Sequence, residues 1–180
     1  MDNSSDTIIS SSNQTKIWRK QQNWYNGGKS NECEIYQFKL FNQITNFCRI
    51  KNYDRLNYET LELRSVKDPN KFNNGFEWSE DFDTSNIKNG KKYYFNMKFV
   101  CDKGGAQTRT LREVYYFIKC QLDFILKNNC EDVFFINILD GDESFRTLEK
   151  FNYLQNIKKY NKIKKYIFIG DMKKFVNWWI

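Results

Sequence analysis

Hydrophobic side chains recur at intervals of three and four residues in two stretches of the chain, which is the spacing of one face of an α-helix. In residues 31–50 this face consists of Ile35, Phe38, Leu40, Phe41, Ile44, Phe47 and Cys48. In the second stretch it consists of Leu111, Val114, Tyr115, Ile118, Leu122, Ile125 and Leu126. Thr110 and Glu113 have the spacing of a capping box, so the second helix is predicted to begin near Thr110.

Other apolar segments have the character of β-strands. Residues 92–101 are rich in aromatic residues, residues 133–139 form a nearly continuous apolar run typical of a buried strand, and residues 166–169 form a shorter one. The Asn89-Gly90 turn predicts a hairpin between residues 76–83 and 92–101. Helices are expected over residues 145–158 and from Asp171 onward. This order predicts an α/β fold, a mixed central β-sheet flanked by helices.

The remaining segments are polar. Residues 1–15 are rich in Ser and Asn and are expected to form a disordered N-terminal arm, followed by one domain over residues 16–180. Residues 51–75 are largely polar and contain a turn at residues 68–70, Asp-Pro-Asn. No apolar run reaches the roughly 18 residues of a membrane span, and no secretory signal opens the chain, so no membrane partner is expected.

Charge and composition narrow the range of functions. The formal net charge is +7, which favours binding to a polyanion such as nucleic acid. The abundance of Asn, Lys, Ile and Tyr fits an AT-rich genome equally well, and such a genome raises the lysine content without any function. Both interpretations stay open.

Cysteine and histidine counts exclude several kinds of site. The five cysteines are odd in number and contain no Cys-x-x-Cys pair, so neither a disulfide framework nor a zinc site is expected. A reducing, intracellular location follows, meaning the cytoplasm, or the host cytoplasm if the protein is viral. The chain has no histidine, which excludes Ser-His-Asp and Cys-His catalysis and nucleases with a histidine base.

Side chains alternate between two faces along the strand at residues 92–101. Phe95, Met97 and Phe99 share one face, which we expect to lie in the core. Asn96 and Lys98 share the other face, so an amide and an ammonium group lie side by side in an otherwise apolar strand.

A two-residue turn at Asn89-Gly90 determines which residues face each other in the hairpin. It places Asp83 opposite Asn96 and Asp81 opposite Lys98, with β-carbons about 5 Å apart. Carboxylate and amide oxygens suit Mg²⁺, so Asp83 and Asn96 are the predicted metal ligands. Lys98 would orient the attacking water or stabilise charge on a phosphate. A plain hairpin with its polar face toward water remains the alternative.

These residues resemble the PD-(D/E)xK signature of type II restriction endonucleases, in an Asn-x-Lys variant: Asp83, then Asn96-Met97-Lys98. Asn96 stands where the family usually has Glu or Asp, and Phe82 stands where it has Pro. Residues 96–118, NMKFVCDKGGAQTRTLREVYYFI, are similar to the catalytic strand, glycine-rich turn and following helix of that family. Residues 136–142 and 167–171 look like its next two strands, so the resemblance covers a catalytic core of about residues 75–180.

The resemblance implies a restriction endonuclease-like fold and a Mg²⁺-dependent endonuclease that cuts double-stranded DNA and leaves 5′-phosphate ends, as a type II restriction enzyme or a shortened relative. Its catalytic residues would be Asp83, Asn96 and Lys98, with Asp81 and Glu77 as alternative acids. A homodimer and a cognate DNA methyltransferase are left open as partners. The neutral side chain of Asn96 motivates an alternative, a catalytically degenerate module of the same fold that only binds DNA.

Three polar residues follow Gly104-Gly105 and are predicted DNA contacts: Gln107, Arg109 and Arg112. Backbone amides at a helix start hold phosphate, and arginine pairs well with phosphate or guanine. Ordinary pairing of these arginines with Glu113 on the helix surface is the alternative.

Overall fold

The computed structural model describes residues 14–28, 31–47, 53–67 and 77–180. The helices and strands are α1 Thr15–Arg19, α2 Glu32–Thr45, β1 Asp54–Asn57, β2 Leu63–Ser65, β3 Ser79–Asp81, β4 Thr84–Lys88, β5 Lys91–Phe99, α3 Gly105–Asn128, β6 Val133–Asp140, α4 Asp142–Asn156, β7 Ile167–Gly170 and α5 Met172–Trp179. Two 3₁₀ turns, Lys158–Tyr160 and Lys164–Tyr166, lead into β7. Residues 1–13 of the predicted arm, Cys48 and the predicted turn at 68–70 lie outside the described residues.

The central sheet has the strand order β4-β5-β6-β7. Strands β4 and β5 form an antiparallel hairpin, whereas β5, β6 and β7 are parallel and are connected through α3 and α4. The prediction of an α/β fold with a mixed sheet flanked by helices is therefore confirmed. Because parallel strands run in one direction, their carboxyl ends share one edge of the sheet and their amino ends share the other.

Helices cover both faces of this sheet. Phe95 and Met97 pack on one face against Phe38 and Phe41 of α2 and Phe175 of α5, as the alternation along β5 predicted. The opposite face packs against α3 and α4 through buried residues that include Val114, Ile118, Leu122, Phe135, Phe151 and Leu154. Both faces of β6 are thus covered, which explains its continuous apolar run.

Helix α3 begins five residues before the predicted start. Gly105 is its first residue, and Thr110 lies inside the helix, where its hydroxyl donates to the Ala106 carbonyl at 3.1 Å. The predicted capping box is therefore wrong, because Thr110 already has its hydroxyl partner one turn earlier. Two residues of the predicted apolar faces, Ile35 and Leu126, are also exposed.

A second, three-stranded sheet has the order β2-β1-β3 and was not predicted. Its central strand β1 is polar but fully buried, and Arg55 contacts Asp81 at 3.1 Å between Nη2 and Oδ1. The predicted single strand over residues 76–83 is therefore wrong, because the chain leaves one sheet at β3 and enters the other at β4. Within β4 and β5 the predicted register is correct, with Thr84 opposite Phe95 and Lys88 opposite Lys91.

Gly141 joins β6 to α4 where the backbone is tightly packed. Its φ is +100°, and a β-carbon there would lie 2.4 Å from the Val100 carbonyl oxygen. Gly90 in the hairpin turn also has positive φ, +75°, but a β-carbon there would have no atom within 4 Å. Conformation alone thus constrains Gly90, whereas conformation and packing both constrain Gly141.

Gly141→Ala should therefore destabilise the protein more than Gly90→Ala. We expect about 1 kcal/mol for Gly90→Ala, from left-handed backbone strain alone. Gly141→Ala should cost at least about 2 kcal/mol more, because the backbone of Val100 has to move. Urea unfolding of both variants measures the difference, and equal losses would contradict the packing described for Gly141.

Candidate active site

A cavity of about 200 Å³ opens at the carboxyl end of β5. Its walls come from α2, β3, β5 and α3, and the lining residues are Glu34, Glu80, Asn96, Lys98, Thr110, Glu113, Val114 and Phe117. A neighbouring groove shares Glu34, Lys98 and Thr110 with it and extends along the start of α3 to Gln107. Asn96 and Lys98 therefore lie together in a concave, acidic site.

Asp83 stands where the hairpin ends. Its backbone N–H donates to the Phe95 carbonyl at 2.8 Å, and its side-chain Oδ2 accepts the Met97 N–H at 2.7 Å. The carboxylate thus satisfies a β5 backbone donor at the point where β4 gives way to the other sheet. Lys98 Nζ lies 3.9 Å from the same Oδ2. The structure brings Asp83 close to Lys98, whereas the predicted register paired Asp83 with Asn96. The strand pairing ends one residue earlier, at Thr84 and Phe95, and Asp83 stands beside the cavity without lining it.

Asn96 is 1% exposed and belongs to a buried row of amides. Its Nδ2 donates to Asn137 Oδ1 at 3.0 Å, and Asn137 Nδ2 donates to Gln121 Oε1 at 2.7 Å. Asn96 Oδ1 is buried and accepts no hydrogen bond from the described part of the protein. A buried acceptor without a donor costs about 1–3 kcal/mol. This oxygen therefore lacks a donor among the described residues, and it belongs to a side chain that lines the cavity.

Glu80 lines the cavity, although no pattern in the sequence indicated it as a site residue. A single strand over residues 76–83 would have placed it on the face opposite Asp83, but the change of sheet turns it into the cavity. Burial raises the pKa of Glu80, and the charges of Asp81, Glu113 and Asp83 raise it further, while Lys98 opposes them. Glu80 therefore lies within electrostatic reach of both Asp83 and Lys98.

The two alternative acids lie elsewhere. Asp81 pairs with Arg55 in the second sheet, so the expectation that it faces Lys98 is wrong. Glu77 contacts the guanidinium group of Arg64. Neither Asp81 nor Glu77 lines the cavity. Glu34 and Glu113 do line it, and no pattern in the sequence associates them with Asn96.

The predicted DNA contacts occupy the exposed side of the first turns of α3. Gln107 lines the groove beside the cavity. Arg109 is exposed and lies 3.7 Å from Glu113 between Nε and Oε1, which is the pairing considered as the alternative. Arg112 lines a different groove, between α3 and α4, together with Tyr115 and Phe151. The three residues thus form no single cluster, and only Gln107 lines the groove next to the cavity.

Asp140 at the carboxyl end of β6 fastens α2 and α5 to this edge of the sheet. Its side chain is fully buried and accepts hydrogen bonds from Gln37 Nε2 at 2.6 Å and from the Met172 N–H at 3.1 Å. Gln37 Nε2 also lies 3.3 Å from the Lys98 carbonyl. Burial raises the pKa of Asp140 to about 7, against the effect of these two donors. Asp140 therefore holds α2 and α5 in place at the edge of the sheet where Lys98 lies.

The described residues contain neither a preformed cluster of acidic and cysteine metal ligands nor a disulfide. There, no group of three or more Asp, Glu or Cys side chains is arranged to hold a metal ion. Cys33, Cys101, Cys120 and Cys130 are free thiols. No helix in the same ranges is long and apolar enough to span a bilayer.

No protein-family model, no curated protein and no solved structure matches this chain. The functional interpretation therefore depends on the geometry of the cavity and on the chemistry of its residues.

Asp140→Asn should change the pH dependence of stability. The ordinary pKa of the carboxyl is 3.8, and the folded value is about 7, so the folded protein binds the proton more tightly. Stability from this group is complete below the lower pKa and falls as pH rises toward the higher one, by up to about 1.4 kcal/mol per pH unit. The amide that replaces the carboxyl in the variant cannot titrate.

Urea unfolding at about pH 5 and about pH 8 measures the effect. We expect the free energy of unfolding of the wild type, minus that of Asp140→Asn, to be larger at the lower pH. The same difference at both pH values would contradict the assignment of a buried, protonated Asp140.

Proposed function

We propose that the protein is a metal-dependent endonuclease that hydrolyses phosphodiester bonds of double-stranded DNA at this cavity. The observation that carries the proposal is that Asn96 and Lys98 share a cavity with Glu80 and Glu113, and that Asp83 lies 3.9 Å from Lys98 at the end of the hairpin. An amine beside several hard oxygen donors suits phosphate chemistry better than it suits an apolar substrate.

Mg²⁺ fits the donor set. Among the described residues no donor reaches the buried Asn96 Oδ1, and Glu80 and Glu113 offer carboxylates from other walls, with Asp83 next to Lys98. Mg²⁺ is usually held by one or two carboxylates together with phosphate oxygens and water, so a preformed cage of three acids is not required. When bound, the metal would supply charge that polarises the phosphate and acidifies a water molecule.

The excess of acidic side chains in the cavity favours the binding of a cation. Glu34, Glu80 and Glu113 line it together with a single lysine, Lys98. A phosphodiester approaching ionised glutamates would be repelled at close range. A divalent cation removes that repulsion, and its binding would favour the ionised form of Glu80.

Lys98 and Glu80 then have distinct tasks. The Lys98 ammonium would donate to a non-bridging phosphate oxygen, where negative charge grows during hydrolysis. Asp83, 3.9 Å away, would keep that ammonium in place. Glu80, partly buried at the cavity wall, would accept a proton from the attacking water at its carboxylate oxygen.

The surroundings of the cavity support DNA as the substrate. Gln107 lines the groove beside the cavity, and the exposed Arg109 and Arg112 lie on the same first turns of α3, so their contacts to phosphates would position a duplex near the cavity. A hairpin that carries the acid and the Asn-x-Lys pair, followed by a helix and a parallel strand, is the arrangement that the family resemblance implies. A restriction endonuclease-like fold, dimerisation and a cognate methyltransferase belong to the same proposal.

A second candidate function is DNA binding without cleavage. Asn96 contributes no charge, its Nδ2 is held by Asn137, and one Asp83 oxygen is occupied by the Met97 N–H. These contacts are what a hairpin end would keep after catalysis had been lost. Retained DNA binding without cleavage would favour this candidate.

Lys98→Ala and Asp83→Asn should strongly slow cleavage while leaving DNA binding intact. The amide oxygen introduced by Asp83→Asn can still accept the Met97 N–H, so the hairpin end should persist. We expect each variant to cut supercoiled plasmid about a hundredfold more slowly in Mg²⁺, because charge stabilisation at the phosphate is lost. Lys39→Ala, which changes an exposed lysine on α2, is the matched control and should cut normally.

Binding of a short duplex is measured alongside. Dissociation constants should change by no more than about twofold, because the cavity contributes only one of the phosphate contacts. A wild type that binds duplex in a salt-dependent way but never cuts it would replace the first candidate by the second. Equal activity of Lys98→Ala and the wild type would remove Lys98 from the mechanism.

A further inference from the structure

A lysine-rich segment connects α4 to β7. It contains Lys158, Lys159, Lys162, Lys164 and Lys165 within residues 158–165 and no acidic residue. The formal net charge of the chain is +7, so these five lysines leave +2 for the rest of the chain. Most of the excess positive charge is therefore concentrated in one short segment.

Buried side chains anchor the segment to the core, and its lysines point outward. Tyr160, Ile163 and Tyr166 are buried in the core between the sheet and α3 and α4, whereas all five lysines are exposed. The Tyr160 hydroxyl also donates to Asp123 Oδ1 at 2.6 Å. Three buried anchors thus fix the backbone, and the ammonium groups are presented on a defined surface.

Lys91 belongs to the same surface. The segment enters β7 at its amino end, and Lys91 begins the parallel strand β5, so both lie at the amino edge of the sheet. Lys91 Nζ is 5.3 Å from the Phe134 ring, that ring is 5.5 Å from Tyr166, and Lys165 Nζ is 4.8 Å from Tyr166. We call the surface formed by Lys91 and the five lysines of the segment the lysine edge.

Most of these charges are uncompensated. Lys159 pairs with Asp123 at 2.8 Å. Lys162, Lys164 and Lys165 form no ion pair with any residue that the structure describes. Adjacent like charges repel one another, so a polyanion bound here would relieve that repulsion and release its own counterions.

The lysine edge lies at the opposite end of the sheet from the candidate active site. Lys91 and Lys98 are the two ends of this separation along β5, about 23 Å at 3.3 Å per residue. Helices cover the two faces between these ends. A straight duplex lying across the cavity at right angles to β5 would therefore not reach the lysine edge.

We propose that the lysine edge is a second nucleic-acid site, which binds the phosphate backbone of a DNA segment other than the one at the cavity. The identity of the polyanion as DNA rests on the proposed function, whereas the position of the surface does not. Lysines act as point charges without the paired geometry that reads bases, so binding here would be independent of sequence.

The test compares two triple variants that remove the same charge. Lys162→Ala, Lys164→Ala and Lys165→Ala act on the lysine edge, and Lys39→Ala, Lys67→Ala and Lys173→Ala remove three exposed lysines elsewhere. The affinity for a short duplex is measured as a function of salt. We expect the edge variant to lower the salt slope by about 2.7, which is 0.9 for each lost phosphate contact, and the control to lower it by less than half of that.

A capture experiment tests whether the bound segment is a second one. An immobilised duplex should retain a labelled free duplex when the wild type or the control variant is added, but not when the edge variant is added. The single-turnover cleavage rate of the edge variant should stay within about twofold of the wild type, because the cavity is unchanged. An inactive wild type would remove the nuclease proposal and leave the binding comparison valid.

Equal effects of the two triple variants on the salt slope would overturn the proposal, since net charge alone would then explain binding. Capture that survives in the edge variant would also overturn it, because the second duplex would then be held elsewhere, for instance at the cavity of a second protomer. Loss of binding by the edge variant to phosphatidylserine vesicles, with duplex binding unchanged, would reassign the surface to a membrane. Circular dichroism melting of each variant checks that the fold is retained.

Discussion

The hydrogen bond from the Met97 N–H to the Asp83 carboxylate is the contact on which the candidate site depends. At this point β3 and β4 belong to different sheets, and the edge of β5 would otherwise lose a backbone partner. An unpaired buried N–H is costly, so the carboxylate that takes it is held in place. The same side chain lies 3.9 Å from Lys98. One residue therefore both ends the hairpin and brings negative charge to the lysine.

Turn type and side-chain periodicity predicted the central sheet but not the second, three-stranded sheet. Asn89-Gly90 and the alternation along β5 were sufficient for the hairpin register, because turn length and side-chain period leave little freedom. The second sheet escaped prediction because its central strand carries Asp54, Arg55 and Asn57, which become buried only through partners distant in sequence. Helix α3 begins at Gly105, five residues before the predicted start, and its N-cap residue Gly104 has no side chain to cap the helix. A prediction based on capping side chains therefore placed the start too late.

The candidate site was predictable only as far as the hairpin extends. Asp83, Asn96 and Lys98 follow from register, whereas Glu34 and Glu113 reach the cavity through the packing of α2 and α3, which has no sequence signature. A continuous strand over residues 76–83 would place Glu80 on the face opposite Asp83, but Glu80 lines the cavity because β3 and β4 belong to different sheets. Asp140 is a fully buried carboxyl that holds α2 and α5 against the sheet, a role that its position at the end of an apolar run does not indicate.

The two edges of the parallel strands differ in charge. Carboxylates and Lys98 line the cavity at the carboxyl edge, whereas the lysine edge lies at the amino edge, where Lys159 alone has an ion-pair partner among the described residues. The two proposed sites therefore lie at opposite edges of the sheet, and they place different chemical requirements on the protein. Polyanion binding requires only exposed positive charge, whereas catalysis requires a cation among the oxygens of the cavity.

Locating that cation is the most direct test. Crystals of the wild type soaked with Mn²⁺ as a substitute for Mg²⁺ would show the metal by its anomalous scattering. We predict a peak inside the cavity, within coordination distance of Asn96 Oδ1 and at least one of Glu80, Glu113 and Asp83. A cavity that stays without a peak at saturating Mn²⁺, or a peak held only by residues outside it, would contradict the assignment of this cavity as a metal-dependent active site.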